Sequence, residues 1–334
     1  MFFPNLEPGL GLVVNQAVTK TGLAGITYID CALSALFDYL RLGGSPVFET
    51  DKEVLDWYEK QPRALSKEYV NSIKWNEIKN YEINPAFIPV LIYMRDIEYF
   101  TDMYYQELRR TPTGKDPIIK KFMDRWSIEE LHHGNLLNRF LEEAGYPQGK
   151  NWQADATRKI PRLYLIGSYL VDHASRPFGK YFHGAHMVWG AINEITAMNA
   201  YRRLSDLAGH PVLKQLLIGI VQEESIHSSF YWNVARVKLR ETEFSKKLAR
   251  FIIGKFWSPV GNGAKPKGEA DYVMATLWPG KEGLELFDQK IGTRIELLPG
   301  FVGFKGLTER VAPIVQKCAT VNLVGALCAS LWLC

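Results

Sequence analysis

Apolar side chains recur along most of the chain at intervals of three and four residues, the spacing of one face of an α-helix. Strand-like alternation of apolar and polar residues is scarce. Stretches of roughly 25 to 30 residues with this spacing are long for globular helices and typical of a helical bundle. The pattern therefore predicts an all-α protein with a bundle core. The four long stretches are 84–110, 116–145, 180–209 and 211–241.

Helix-start and helix-stop residues frame these stretches. Asn84 and Asp116 are predicted N-caps, each followed by a proline at the first helical position. Gly145 and Gly209 are predicted to end the second and the third helix. Pro211 then opens the fourth helix at once, and so short a connection predicts that the third and fourth helices are antiparallel neighbours.

The rest of the chain is less regular than the bundle. We predict a helical domain over 1–258 with its core bundle at 84–241. Shorter helices are predicted before this core, at 28–42, 52–60 and 66–80. After Phe256 the sequence SPVGNGAKPKGEAD predicts a surface loop. Residues 259–334 are therefore predicted to be a loop and a C-terminal extension packed on the same domain.

The inward faces of the four long helices carry charged side chains among their apolar residues. The second and the fourth helix each present a glutamate and, three residues later, a histidine. The first and the third helix each present one glutamate. The apolar stripes that set this phase alternate intervals of four and three residues. The six inward residues are Glu98, Glu130, His133, Glu194, Glu224 and His227.

Buried carboxylates that converge at mid-bundle repel one another and lose their hydration, at several kcal/mol per ion, unless cations lie among them. Two divalent ions would balance the four negative charges. A Glu-x-x-His pair places both side chains on one helix face, within reach of a single metal ion. Oxygen-rich ligation with two imidazoles suits iron or manganese more than a thiolate-binding metal. The pattern thus predicts a di-iron carboxylate site with two iron ions, or manganese, as its cofactor.

Other polar residues near these positions leave the ligand set partly open. Asp102, one turn beyond Glu98, is a competing ligand on the first helix. Glu129 and Glu223 each precede a motif glutamate, and are interpreted either as partners of the histidines or as outward charges. A single Glu-x-x-His on a helix most often belongs to a solvated face. Two copies in phase on apolar stripes indicate a metal site.

Composition narrows the function classes. A net charge of +4 over 334 residues is too mild to indicate nucleic-acid binding, although it suits an acidic protein partner. The four cysteines are scattered without a Cys-x-x-Cys pair, which favours a reducing compartment. We find no signal or transit peptide in MFFPNLEPGLGL and expect a cytoplasmic protein. The uncharged stretch 318–334 leaves weak membrane association open.

The second long stretch resembles a motif of the acyl-acyl carrier protein desaturases, a family of ferritin-like di-iron proteins. Residues of WSIEELHHGNLLNRFLEEAG that fall on the family pattern are Trp126, Glu129, Glu130, His133, Gly134, Leu136, Leu137 and Asn138. The sequence QEESIH on the fourth helix is similar to the family's second motif. The resemblance covers residues 84–241 and implies a ferritin-like four-helix bundle with additional N- and C-terminal helices.

The resemblance also implies roles for individual residues. Glu130 and Glu224 would bridge two irons as the catalytic carboxylates. The terminal ligands that it implies are Glu98, His133, Glu194 and His227. The residues that it places around the ligands are Trp126, Glu129, Glu223 and Thr196. In the family a threonine lies three residues beyond the third-helix glutamate, whereas this chain has Ala197 there and Thr196 one place earlier.

The function implied by the resemblance is an O2-dependent oxidoreductase of fatty acid metabolism. It would desaturate or hydroxylate an acyl chain, held on an acyl carrier protein or free, with a ferredoxin-like electron donor, and would form a homodimer. The basic stretch ARVKLRETEFSKKLARFIIGK and residues 265–267 could receive the acidic carrier, or could be solvated surface. Small residues near Glu194, namely Gly190, Ala191 and Ala197, leave space for an alkyl chain or allow close helix packing.

Two other functions stay open at the level of sequence. One is a di-iron oxygenase of another biosynthetic intermediate, such as an N-oxygenase or another hydroxylase. The other is a non-enzymatic metal-binding helical protein. The choice between desaturation and hydroxylation also stays open, because both begin with removal of a hydrogen from the same kind of bond.

Overall fold

Helices form all of the regular secondary structure in residues 48–321, the part of the chain that this computed structural model describes, with side chains described to residue 317. The predicted all-α class is confirmed for these residues. The α-helices are α1 (Asp51–Glu59), α2 (Lys67–Ser72), α3 (Phe87–Tyr99), α4 (Thr101–Arg110), α5 (Pro117–Glu143), α6 (Trp152–Arg158), α7 (Arg162–Ser175), α8 (Tyr181–Ala208), α9 (Pro211–Arg240), α10 (Glu243–Phe256), α11 (Lys267–Leu277), α12 (Gly280–Phe287), α13 (Thr293–Glu296) and α14 (Gly306–Val321). The helix predicted at 28–42 lies outside the described residues.

Capping residues mark the start of α5, the end of α8 and the start of α9. Asp116 caps α5, since its side chain accepts from the backbone N–H of Ile118 and of Ile119 at 3.0 and 3.2 Å. Helix α8 ends at Gly209, whose φ of 63° is left-handed. The His210 side chain then caps α9 by accepting from the N–H of Leu213 at 3.2 Å. These starts and stops agree with the sequence prediction.

The first predicted long helix differs from the observed one. It begins at Phe87 rather than at Pro85, because Asn84 accepts from the N–H of Ala86 in a turn that precedes the helix. It also divides into α3 and α4 at Phe100, which is buried with Ala156 in a small separate apolar cluster. The helix predicted at 66–80 likewise divides into α2 and a 3-10 helix at Trp75–Asn80.

The long helices pack as two pairs. Helix α8 lies along α9, and α3 lies along α5, while α1 packs against both α5 and α9. The rings of Phe122 on α5 and Phe230 on α9 stack with their centroids 3.8 Å apart, which joins the two pairs. Helix α10 packs on α8, and α11 packs on α3 and α14. The two pairs thus enclose an interior to which α3, α5, α8 and α9 all contribute.

Gly190 on α8 serves close packing, one of the two roles that its small size allowed. A Cβ atom at this position would overlap the buried ring of Tyr231. We expect Gly190→Ala to lower the free energy of unfolding by about 1–3 kcal/mol, measured by urea denaturation. Gly167→Ala is the matched control, because its added methyl group meets nothing within 4 Å. An equal effect of both substitutions would contradict the packing role.

The segment that joins α10 to α11 is only partly on the surface, which corrects the predicted surface loop. Lys265 is 5% exposed, and its ammonium group donates to Asp96 at 2.5 Å and pairs with Glu269 at 2.7 Å. A buried carboxylate such as Asp96 requires compensating charge, and Lys265 contributes to it together with the buried Arg95, which pairs with Asp96 at 2.6 Å. Lys265 therefore does not belong to a surface that could receive a carrier protein.

None of the helices within residues 48–321 is long and apolar enough to cross a membrane. The uncharged stretch 318–334, for which weak membrane association was left open, lies outside the residues whose side chains are described.

Candidate metal centre

The six inward residues predicted from sequence come together between α3, α5, α8 and α9. Each is at most 6% exposed. Their donor atoms form two groups, and within each group one atom from every residue lies within 4.8 Å of the others. The first group is Glu98, Glu130, His133 and Glu224, and the second is Glu130, Glu194, Glu224 and His227. Because Glu130 and Glu224 belong to both groups, the arrangement can hold two metal ions side by side.

Glu98 and Glu194 each belong to only one of the two groups, and each accepts a hydrogen bond from an aromatic side chain. The Tyr201 hydroxyl donates to Glu98, and the Trp126 indole N–H donates to Oε1 of Glu194 at 3.2 Å. The competing candidate Asp102 is exposed on α4, away from these residues. Glu98 is thus the residue of the first long stretch that reaches the cluster.

Each histidine is oriented by a glutamate from the opposite helix. Nε2 of His133 on α5 donates to Oε2 of Glu223 on α9 at 3.0 Å, and Nε2 of His227 on α9 donates to Oε2 of Glu129 on α5 at 2.7 Å. Metal-binding histidines commonly donate their second ring nitrogen to a carboxylate in this way, which sets the tautomer and the ring direction. Glu129 and Glu223 are therefore partners of the histidines rather than outward charges.

The remaining ring nitrogens face inward. Nδ1 of His133 lies 3.3 Å from Oε1 of Glu224, and Nδ1 of His227 lies 2.8 Å from Oε1 of Glu130. These Nδ1 atoms, Oε1 of Glu130 and both oxygens of Glu224 are buried and make no aligned hydrogen bond to any other described residue. With the proton of each ring on Nε2, lone pairs face lone pairs across this space. Only a cation or added protons can relieve that repulsion.

Burial and mutual repulsion shift the pKa values of side chains in the cluster. Burial raises the pKa of Glu98 to about 8, and the charge of Glu130 adds to the rise. Burial and nearby carboxylates also raise the pKa of Glu194 well above its ordinary value. Burial alone would lower the pKa of His133 and of His227, but hydrogen bonds with glutamates raise both. The cluster therefore needs positive charge, which is supplied either by bound protons or, in their place, by divalent cations.

Cationic side chains surround Glu129 and Glu223, which we call the outer glutamates because they lie behind the histidines. Arg125 pairs with Oε1 of Glu129 at 2.8 Å, and Arg63 reaches Oε1 of Glu223 at 2.9 Å and Oε1 of Glu129 at 3.1 Å. The Tyr58 hydroxyl donates to Oε2 of Glu129 at 3.0 Å. Burial would raise the pKa of Glu129, but the hydrogen bonds from His227 and Arg125 lower it to about 2. Arg63, Arg125 and Tyr58 thus compensate these two carboxylates in addition to the histidines.

Four residues of this arrangement were not predicted as site residues from the sequence. Arg125 lies four residues before Glu129, so helical spacing could have indicated it. Tyr201 lies seven residues beyond Glu194 on the same face of α8, where the spacing predicts a core residue but not a hydrogen bond to Glu98. Tyr58 and Arg63 lie on α1 and in the connection that follows it, where no spacing relates them to the motif helices.

An apolar pocket lies beside Glu98, between α3, α8 and α11. Its polar groups are mostly engaged, since the Tyr201 hydroxyl donates to Glu98 and the Tyr93 hydroxyl donates to the carbonyl oxygen of Val260. The buried Thr196 hydroxyl lines the pocket and has no partner among the described residues. Apolar lining residues include Met94, Ile97, Ala197, Ala200, Val273 and Met274.

No protein-family model and no curated protein matches this sequence. The resemblance to acyl-acyl carrier protein desaturases therefore rests on the motif residues alone. The buried donor set is accordingly the observation from which a function is inferred.

Proposed function

We propose that this protein is a ferritin-like di-iron oxidoreductase that uses O2 to desaturate or hydroxylate an acyl chain. The observation that carries the proposal is the set of buried, unpaired donor atoms on Glu130, His133, Glu224 and His227. Such groups are costly to bury, and metal ions satisfy all of them at once. A donor set of carboxylates and imidazoles without thiolates suits iron, with manganese as the second choice.

The helices that supply the donors support the ferritin-like interpretation. Two helices, α3 and α8, each provide a glutamate, while α5 and α9 each provide a Glu-x-x-His pair. This division is that of di-iron carboxylate bundles. The crosswise hydrogen bonds between α5 and α9 give the two halves of the site the same construction, as expected where two similar ions are held together.

The ligands divide naturally between the two ions. Both ions would share Glu130 and Glu224. The remaining ligands are Glu98 and His133 for one ion, and Glu194 and His227 for the other. When bound, two iron ions supply O2 activation with electrons from an external donor. The acyl carrier protein, the ferredoxin-like donor and the homodimer remain predictions of the resemblance.

The pocket beside Glu98 supports an apolar substrate. None of the described residues that line it has a cationic side chain that could pair with a substrate carboxylate, so an uncharged hydrocarbon segment fits this lining. The hydrogen bond from Tyr93 to Val260 ties the α10–α11 connection to α3 at this pocket, and the buried Trp278 also lines it. These side chains would orient the chain beside the ligands and keep water away. The Thr196 hydroxyl is available to a polar group or a water molecule.

A direct test is product formation by the iron-loaded protein. The iron-loaded protein, given a reductant and acyl chains either free or on a carrier protein, should consume O2 in a substrate-dependent way. Mass spectrometry of the product then distinguishes loss of two hydrogens from gain of an oxygen atom. Iron-loaded protein that consumes no O2 with either form of substrate would contradict the proposal.

The pocket itself can be tested by filling it. Ala200 is buried in its lining, and Ala200→Leu should lower product formation at least about tenfold, since the added methylenes occupy the space proposed for substrate. Iron content should not change, because Ala200 is not a ligand. Ala154→Leu on α6 is the matched control, as Ala154 is exposed. Unchanged product formation by Ala200→Leu would exclude this pocket as the substrate site.

A further inference from the structure

Helix α7 turns its polar side toward the protein and its apolar side toward solvent. Its inward positions are Tyr164, Ser168, Asp172 and Ser175. On the opposite side, Leu163, Ile166 and Leu170 are 79%, 58% and 66% exposed. A surface helix normally buries its apolar stripe, so this reversal indicates that the stripe contacts something outside the described chain.

Polar contacts hold α7 in this orientation. The Tyr164 hydroxyl donates to Oε2 of Glu107 at 3.2 Å, and Arg110 donates to the Ser168 hydroxyl at 3.1 Å. Asp172 is buried at the same inner side. Turning the apolar stripe inward would break these contacts and bury its leucines against polar groups. The exposure of the stripe is therefore built into the packing of α7.

A basic pocket lies at the C-terminal end of α7. Its lining includes Lys115, which precedes α5, and Arg176 and Lys180 in the connection between α7 and α8. Arg176 pairs with Asp172 at 2.7 Å. Lys115 and Lys180 are exposed and form no ion pair within residues 48–317. Among the described residues, the carboxylate that lines the pocket is Asp116, which already caps α5 and lies 3.6 Å from the ammonium group of Lys238. Through Lys115 and Lys180 the pocket thus presents uncompensated positive charge at the end of the helix that carries the apolar stripe.

We propose that α7 docks this protein on an anionic lipid surface. Leu163, Ile166 and Leu170 would enter the boundary between headgroups and acyl chains, while Lys115 and Lys180 contact lipid phosphates. A helix with an apolar face and basic flanks lies in the plane of a membrane in this manner. The inference does not depend on the metal centre, although a surface of this kind would place the protein near apolar substrates.

The charges of α7 favour a lipid surface over a second copy of the chain. Arg162 lies at the N-terminal end of the helix, and Arg176 and Lys180 follow its C-terminal end. Antiparallel pairing of two α7 helices would bring Arg162 near Arg176 of the copy, and parallel pairing would bring identical cations together. An acidic carrier protein would also match these charges, so its binding to the stripe is one of the outcomes that the experiments distinguish.

The first test is co-sedimentation of the full-length protein with lipid vesicles. We expect binding to vesicles of phosphatidylcholine mixed with phosphatidylglycerol, and weak binding to phosphatidylcholine alone. The triple substitution Leu163→Ser, Ile166→Ser and Leu170→Ser should weaken binding at least about tenfold, because it removes the apolar contribution. The matched control replaces three exposed aliphatic residues on other helices, Ile128→Ser, Leu207→Ser and Ile218→Ser. Thermal melting by circular dichroism shows that each variant is folded.

A second arm tests the basic pocket. Lys115→Glu with Lys180→Glu should weaken binding to anionic vesicles at least about tenfold. Lys67→Glu with Lys290→Glu makes the same change of net charge at two exposed lysines elsewhere and should have a small effect. Inorganic phosphate and chloride are compared at equal ionic strength. Equal displacement by both supports lipid phosphates, whereas stronger displacement by phosphate assigns the pocket to free phosphate and overturns its lipid role.

Several outcomes would overturn the proposal as a whole. The lipid proposal is excluded if wild-type protein does not co-sediment with anionic vesicles, or if the triple serine variant binds them as tightly as wild type does. Light scattering that shows a dimer in wild type and a monomer in the serine variant, without vesicle binding, assigns the stripe to a second copy. Binding of the stripe to acyl carrier protein instead of vesicles assigns it to that partner. All of these measurements are independent of iron and of enzymatic activity.

Discussion

Replacement of both Glu130 and Glu224 by alanine is expected to abolish metal binding, whereas the wild-type chain should retain about two iron ions after anaerobic Fe(II) loading and desalting. These carboxylates belong to both donor groups, so their loss removes ligands from each ion at once. Iron per chain, measured by inductively coupled plasma mass spectrometry, is the readout. Wild-type protein that retains no metal would reduce the cluster to a buried polar network and remove the di-iron proposal with it.

A shape-conserving variant separates loss of ligands from loss of fold. Glu130→Gln with Glu224→Gln keeps the side-chain volume in the core and removes the negative charge that balances the ions. It should remain folded by circular dichroism and still lose the metal. The control pair Glu143→Ala and Glu241→Ala removes one half-buried and one exposed glutamate that belong to neither donor group, and should leave iron content unchanged. Equal iron in the glutamine variant and in wild type would exclude both carboxylates as essential ligands.

Removal of one outer carboxylate is expected to weaken one ion selectively. Glu223 accepts from Nε2 of His133, from Arg63 and from the backbone N–H of Leu65. Glu223→Gln should lower the affinity of the ion bound with His133 by about 10–100-fold, because the ring loses the charged partner that sets its tautomer and direction. Glu129→Gln should do the same to the ion bound with His227.

Stepwise titration with Mn(II), followed by electron paramagnetic resonance, resolves the two ions. Each single variant should show one unchanged and one weakened binding step, and the variant with both substitutions should show two weakened steps. Glu143→Gln on the same helix as Glu129 is the control and should titrate as wild type. Equal weakening of both steps in a single variant would contradict the crosswise arrangement, because each outer glutamate contacts one histidine.

Much of the site follows from helical periodicity, which is a local property. Once 116–145 and 211–241 are helical, a spacing of three residues puts Glu130 beside His133 and Glu224 beside His227 on the stripes that face the core. The prolines and caps that start α5 and α9 are equally local. A sequence therefore suffices to predict both motif pairs and their inward direction.

Long-range contacts lie beyond that kind of inference. Arg63 is separated from Glu223 by 160 residues, and no periodicity relates the two. Lys265 belongs to a stretch with the composition of a surface loop, yet it is buried in ion pairs with Asp96 on α3 and with Glu269. The small size of Gly190 could have left space for an alkyl chain or allowed close packing of α8 on α9. Only the position of the Tyr231 ring on α9 decides between these two roles.

By itself, the sequence determined the helical class, the starts of α5 and α9 and the inward phase of the six donor residues, because each depends on local spacing and capping within one helix. The tertiary structure alone decided that Glu129 on α5 binds His227 on α9 and that Glu223 on α9 binds His133 on α5. It also decided that Tyr201 and Arg63 support the cluster, and that the apolar stripe of α7 faces outward. These features depend on which helices become neighbours, and that is set by packing of the whole core rather than by any local pattern.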